Sequence, residues 1–141
     1  MKQSSLSLSL RLQLLICGML AGLIVLGAGV RLADAGLACP DWPLCYGEVV
    51  PPFNFKVFME WIHRVFAGSV GILALISSTL IFSKPELRRR LGVLSIVSLL
   101  LFFVQAWLGG QTVIQLLRAE IVTSHLVGGY SLFFVNLWIL S

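Results

Sequence analysis

Four long apolar runs separated by short polar clusters dominate the chain, at about Leu12–Val30, Val65–Phe82, Leu91–Leu108 and Ile121–Leu140. A hydrocarbon core about 30 Å thick takes ~20 helical residues to cross, so each run predicts a transmembrane helix. The charges between them set a direction. Lys2, Arg11, Lys84, Arg88, Arg89 and Arg90 against Glu86 leave +5 on one side. Arg31, Lys56, Arg64 and Arg118 against Asp34, Asp41, Glu48, Glu60 and Glu120 leave −1 on the other. The positive-inside rule then puts both termini in the cytoplasm of a bacterial-type inner (cell) membrane. The expected architecture is one all-α integral membrane domain over residues 1–141, a four-transmembrane-helix bundle. Ala33-Asp34-Ala35 resembles a signal-peptide cleavage site, but the 19 apolar residues before it exceed a typical h-region and read as a span.

Composition serves mainly to close alternatives. Of 141 residues, 58% are apolar and 11% charged, too few charges to coat a water-soluble surface without large apolar patches. The net charge of +4 sits in clusters between spans, so no nucleic-acid partner is expected. The inner connection, Ser83–Arg90, reads as a tight basic turn with Pro85 as a helix stop. The first outer loop, about residues 31–60, holds four of the five prolines together with Cys39, Cys45 and Trp42, and loops of that length usually have a task. A second outer connection runs from about Gly109 to Glu120. The first and third helices end in Leu26-Gly27-Ala28-Gly29-Val30 and Leu108-Gly109-Gly110-Gln111-Thr112-Val113, and the second and fourth open with a histidine followed by small residues. Two helical hairpins related as a parallel repeat are therefore expected. Gly18 and Gly22, Gly68 and Gly71, and Gly128 and Gly129 mark close helix approach. The pairs beyond each histidine also suit a flat ligand lying on the helix.

The chain has two histidines, His63 and His125, at similar depth near the outer ends of the second and fourth helices. Ionisable groups within membrane helices are costly and usually face the bundle interior. Two imidazoles on alternate helices are what axial ligation of a haem iron requires, from opposite faces of the macrocycle. Glu60 shares a helix face with His63 three residues on. A single Glu-x-x-His lacks the second motif and extra carboxylates of a di-iron bundle, so His63 reads better as a haem ligand and Glu60 as an acid/base or electrostatic group. Arg64, Arg31 and Arg118 are candidate counter-ions for haem propionates. Cys39 and Cys45 bracket Pro40-Asp41-Trp42-Pro43-Leu44 on the oxidising side, where a disulfide is the first expectation and zinc lacks further ligands. Trp61, Trp107 and Trp138 fit interfacial belts.

The run Val30-Arg31-Leu32-Ala33-Asp34-Ala35-Gly36-Leu37-Ala38-Cys39-Pro40-Asp41-Trp42-Pro43-Leu44-Cys45, the segment Glu60-Trp61-Ile62-His63-Arg64 and His125 after Val122-Thr123-Ser124 resemble the haem A synthase family over essentially the whole chain. The resemblance implies an oxidoreductase that converts haem O to haem A, a methyl group to a formyl group, for terminal oxidase assembly. It implies His63 and His125 as haem iron ligands, Glu60 as the catalytic carboxylate and a Cys39–Cys45 disulfide near the site. Haem O is then the substrate, with contacts to haem O synthase and to cytochrome oxidase assembly expected. Typical bacterial members have eight helices in two halves, the other half holding haem b. This chain stops after its fourth helix, at Ser141, which suggests a homodimer, a truncated or split product needing a second four-helix half, or a four-helix relative with altered function. A bis-histidine membrane cytochrome b that moves electrons or holds haem unmodified is the alternative, and an inert structural bundle a third.

Overall fold

The computed structural model describes residues 2–141, with side chains from residue 8 onward, so the side chain of Lys2 in the charge tally lies outside the described residues. Four helices follow in order: α1 Lys2–Leu32, α2 Phe55–Phe82, α3 Pro85–Ile114 and α4 Ala119–Leu140. Each is long and apolar enough to cross a membrane, and the chain is a multi-pass membrane protein. α1 and α3 both pack on α2 and on α4, closing a ring in which, among the described residues, the diagonal partners make no close backbone approach. We call the end carrying the 33–54 loop the loop end, and the end carrying the α2–α3 turn the terminal end.

The helices outrun the apolar runs that predict them. α2 begins at Phe55, ten residues ahead of Val65, because a helix needs backbone pairing and a cap rather than apolarity. Asn54 supplies that cap, its side-chain oxygen accepting from the Lys56 N–H at 3.0 Å. The first loop accordingly shortens from the expected 31–60 to 33–54. Pro85 opens α3 instead of stopping a helix: its missing N–H is no loss in a first turn, and the basic Arg88–Arg90 cluster is already helical. At its other end α3 continues through Gly109-Gly110-Gln111-Thr112 to Ile114, so the second connection is only residues 115–118. Leu116 and Leu117 turn it with φ of 51° and 58°, left-handed values that cost non-glycine residues about 1–2 kcal/mol each.

Two kinds of contact hold the bundle between the loop and the terminal end. Its middle is apolar: Ile16 and Leu20 of α1, Val70 of α2 and Leu132 of α4 form a buried cluster with Leu101 and Phe102 of α3 packed on it. Toward the terminal end a polar belt crosses all four helices. Gln13 Nε2 donates to Asn136 Oδ1 at 2.9 Å and to the Asn136 carbonyl at 3.1 Å. Ser77 donates to Gln13 Oε1 at 3.1 Å, and Asn136 Nδ2 donates to Ser98 Oγ at 3.0 Å and the Leu132 carbonyl at 2.8 Å. Ser95 and Ser78 join at 2.8 Å beside it. Such groups must find partners within the protein because lipid offers none.

Candidate functional site

His63 lies about two turns into α2 and His125 about two turns into α4, the diagonal helices, whose backbones make no close approach among the described residues. Each imidazole leans on a glycine of the preceding helix. A Cβ placed on Gly27 of α1 would stand 3.1 Å from His63 Cε1, and one on Gly109 of α3 would stand 3.4 Å from His125 Cε1. The expected parallel repeat thus has a physical content: α1 and α3 each supply a glycine seat, and α2 and α4 each supply the ring seated there. Both Nδ1 atoms are buried without a hydrogen-bond partner among the described residues.

Glu60 sits on the same face of α2 as His63, 4% exposed. One carboxylate oxygen accepts from the Cys39 N–H at 2.8 Å and the other pairs with the Arg64 guanidinium one turn away. Arg64 Nη1 donates to the carbonyls of Asp41 and Leu44, both at 2.7 Å, and Nη2 to that of Cys39 at 3.4 Å. Cys39 and Cys45 are joined by a disulfide and are essentially inaccessible. Asp41 accepts from the N–H groups of Tyr46 and Gly47 at 2.7 and 2.8 Å, and the Trp42–Pro43 peptide is cis. The Gly47 bond, aided by that of Tyr46, holds the Asp41 carboxyl below the usual carboxylate range.

The other candidates lie apart. Arg31 is exposed, and Arg118 pairs with Glu120 at 3.1 Å on the surface. Trp61, expected in an interfacial belt, donates its indole N–H to the Val49 carbonyl at 2.8 Å and so helps hold the loop. Trp107 and Trp138 are largely exposed, as a belt requires. Of the glycines beyond the histidines, Gly71 takes the ring of Phe102 and Gly128 the Gln105 amide, while a Cβ on Gly68 would meet nothing within 4 Å. The Gln105 amide nitrogen is itself buried and unpartnered. Among the described residues no three His, Cys, Asp or Glu side chains gather as a metal site.

A family model described as "Cytochrome oxidase assembly protein", COX15-CtaA, matches residues 10–54 and 52–141. The chain belongs to this family. It is 40% identical over 127 residues to the Heme A synthase of Shewanella oneidensis, covering 77% of this chain and 38% of that protein. Against the Heme A synthase of Bacillus pumilus it is 36% identical over 107 residues, 73% of this chain and 35% of that one. It is also 32% identical over 111 residues to the Protoheme IX farnesyltransferase of Haloarcula marismortui, 79% of this chain and 23% of that protein. The chain therefore spans little more than a third of the curated Heme A synthases it matches. No solved structure matches it.

For a COX15-CtaA member the donor set fits a haem. Two imidazoles stand on diagonal helices of the bundle, and each keeps a buried ring nitrogen without a partner among the described residues. Imidazole is a common axial ligand of haem iron. A propionate would meet Arg31 more freely than Arg64, whose guanidinium is already engaged by the loop.

Proposed function

We propose that this chain is the haem-handling half of a haem A synthase-like oxidoreductase, oxidising a methyl group of haem O to the formyl group of haem A for terminal oxidase assembly. The observation that carries the proposal is the matched pair of seats, His63 on Gly27 and His125 on Gly109, with unpartnered ring nitrogens on diagonal helices. His63 and His125 would hold the iron, a role for which axial imidazoles suffice without further protein metal ligands. Glu60, whose carboxylate is fixed by Arg64 and the Cys39 N–H, would present negative charge beside the ring edge where positive charge develops. The disulfide-closed loop would limit water over the site, and Arg31 and Arg118 are the remaining candidates to meet propionates.

A second four-helix half would complete the enzyme and hold a haem b. The fraction of the Heme A synthases covered supports this. The likeness to a Protoheme IX farnesyltransferase supports a place in the same haem pathway, in which contact with haem O synthase is part of the proposal. Arg11, Lys84 and Arg88–Arg90 at the terminal end, and a disulfide at the loop end, support cytoplasmic termini and an outward-facing site in a bacterial-type inner membrane.

The test is haem stoichiometry and extracted-haem analysis on purified protein supplied with haem O, with its mass in detergent measured alongside. Formyl product supports the enzyme, and bound but unmodified haem supports the bis-histidine cytochrome reading. A well-folded protein that binds no haem overturns both. Glu60→Gln is the informative variant, because it keeps the shape of the group under the loop while removing its charge.

A further inference from the structure

We propose that Arg64 is a positioning residue: it clasps the disulfide-closed ring of residues 39–45 onto α2 so that one rigid body spans both histidine seats. This deepens the proposed function and rests on it only for the haem. The guanidinium carries five N–H donors in a planar fork. Both hydrogens of Nη1 go to the Asp41 and Leu44 carbonyls, and those of Nη2 to the Cys39 carbonyl and Glu60. Only the single Nε–H is left over, so the forked grip that a carboxylate would need is spent. The three carbonyls belong to one small ring closed by the Cys39–Cys45 bond. Glu60 completes the clasp by taking the Cys39 N–H. Glu60 and Arg64 bracket His63 in sequence, so the ring is fastened at the first seat.

The same ring reaches the second seat. Trp42, at its tip, lies on Gly110, where a Cβ would stand 3.1 Å from the indole Cδ2. Gly110 is the neighbour of Gly109, on which His125 rests. A third support comes from Gly36, ahead of the ring, which packs against Leu117 of the α3–α4 connection. A loop held only at α2 would swing about that contact. Held at α2, α3 and the connection, and cross-linked internally, it passes a displacement at Arg64 to Trp42 and on to the His125 seat.

Two measurements test this. The first needs no haem: the rate at which a water-soluble phosphine opens the Cys39–Cys45 bond in the purified full chain, read by maleimide mass-tagging. Arg64→Gln is expected to speed opening at least about tenfold, because the carbonyls lose their common donor and the ring opens locally. Arg64→Lys should rescue only part of this, since an ammonium cannot bridge the carbonyls as a planar fork does. The second uses protein loaded with ferric protohaem. Arg64→Gln and Trp42→Ala should produce the same kind of shift in the low-spin spectrum, and the double variant should shift no further than the larger single one. Opening at the wild-type rate in Arg64→Gln overturns the clasp, and fully additive spectral shifts overturn transmission through Trp42. Should Arg64→Gln fail to fold, Arg64→Lys and Trp42→Ala carry both measurements. Wild-type protein that takes up no haem defeats the proposed function while leaving the opening rates to decide the clasp.

Discussion

The two ends of the bundle treat buried polar groups in opposite ways. At the terminal end Gln13, Ser77, Ser98 and Asn136, one from each helix, satisfy one another within the protein. At the histidine level His63 Nδ1, His125 Nδ1 and Gln105 Nε2 are buried with no partner among the described residues. An unpaired buried polar group costs about 1–3 kcal/mol, so the two arrangements are not equivalent ways of packing a membrane bundle. One end is complete as it stands. The other has buried hydrogen-bonding and ligating atoms without partners among the described residues, and the contrast supports the proposed haem site.

The comparison breaks most visibly at the histidines. His63→Ala or His125→Ala should abolish the Soret band of protein supplied with haem while leaving helix content by circular dichroism unchanged, because neither imidazole nitrogen is tied into the fold. Asn136→Leu should do the reverse. It removes the hub of the belt, lowering stability to denaturation in detergent by about 1–2 kcal/mol, the upper range for interhelical hydrogen bonds in membranes, with the haem spectrum preserved. Gly27→Ala and Gly109→Ala sharpen the symmetry of the seats. Each should weaken haem binding in titrations, the first by about tenfold and the second by less, following the tighter 3.1 Å approach at Gly27.

The smallest effect concerns pH. The Asp41 carboxyl is held below its ordinary range chiefly by the Gly47 N–H, so its ionised form favours the closed loop. That contribution is full above the ordinary value of about 4 and is lost as pH falls through the lowered one. Phosphine opening of the disulfide should therefore show no Asp41 step between neutral pH and about pH 4, and should gain one below it. In Asp41→Asn the acid step disappears and opening is a few-fold faster throughout.

Much of this was legible in the sequence, for reasons that divide cleanly. Spans follow from runs of apolar residues, and His63, His125, Cys39 and Cys45 stand out because their types are rare in the chain. Both signals are local. The start of α2 was hidden because Lys56, Glu60, His63 and Arg64 break the hydropathy without breaking the helix, and Pro85 reads equally as an end or a beginning. Besides Glu60, the partners of Arg64 are backbone carbonyls, which any loop possesses, so only the fold reveals that three of them converge. Gln13 and Asn136 are 123 residues apart, and no pattern along the chain pairs them. Of the glycines that read as close-approach points, Gly71 and Gly128 are met by Phe102 and Gln105 while Gly18 and Gly68 have nothing within 4 Å, because the neighbouring helix decides what arrives.

The turn between α2 and α3 is two residues, Ser83 and Lys84, and it lies at the same end as the polar belt. From Ser77 in the belt to His63 is fourteen residues, a lever arm of about 21 Å, so a tilt of about 5° there would swing the imidazole by about 2 Å. The loop end is braced as well, because Arg64 and Trp42 tie the ring to α2 and to Gly110 of α3, so in the proposed enzyme any tilt that admitted a broad, flat molecule would have to carry the ring with it.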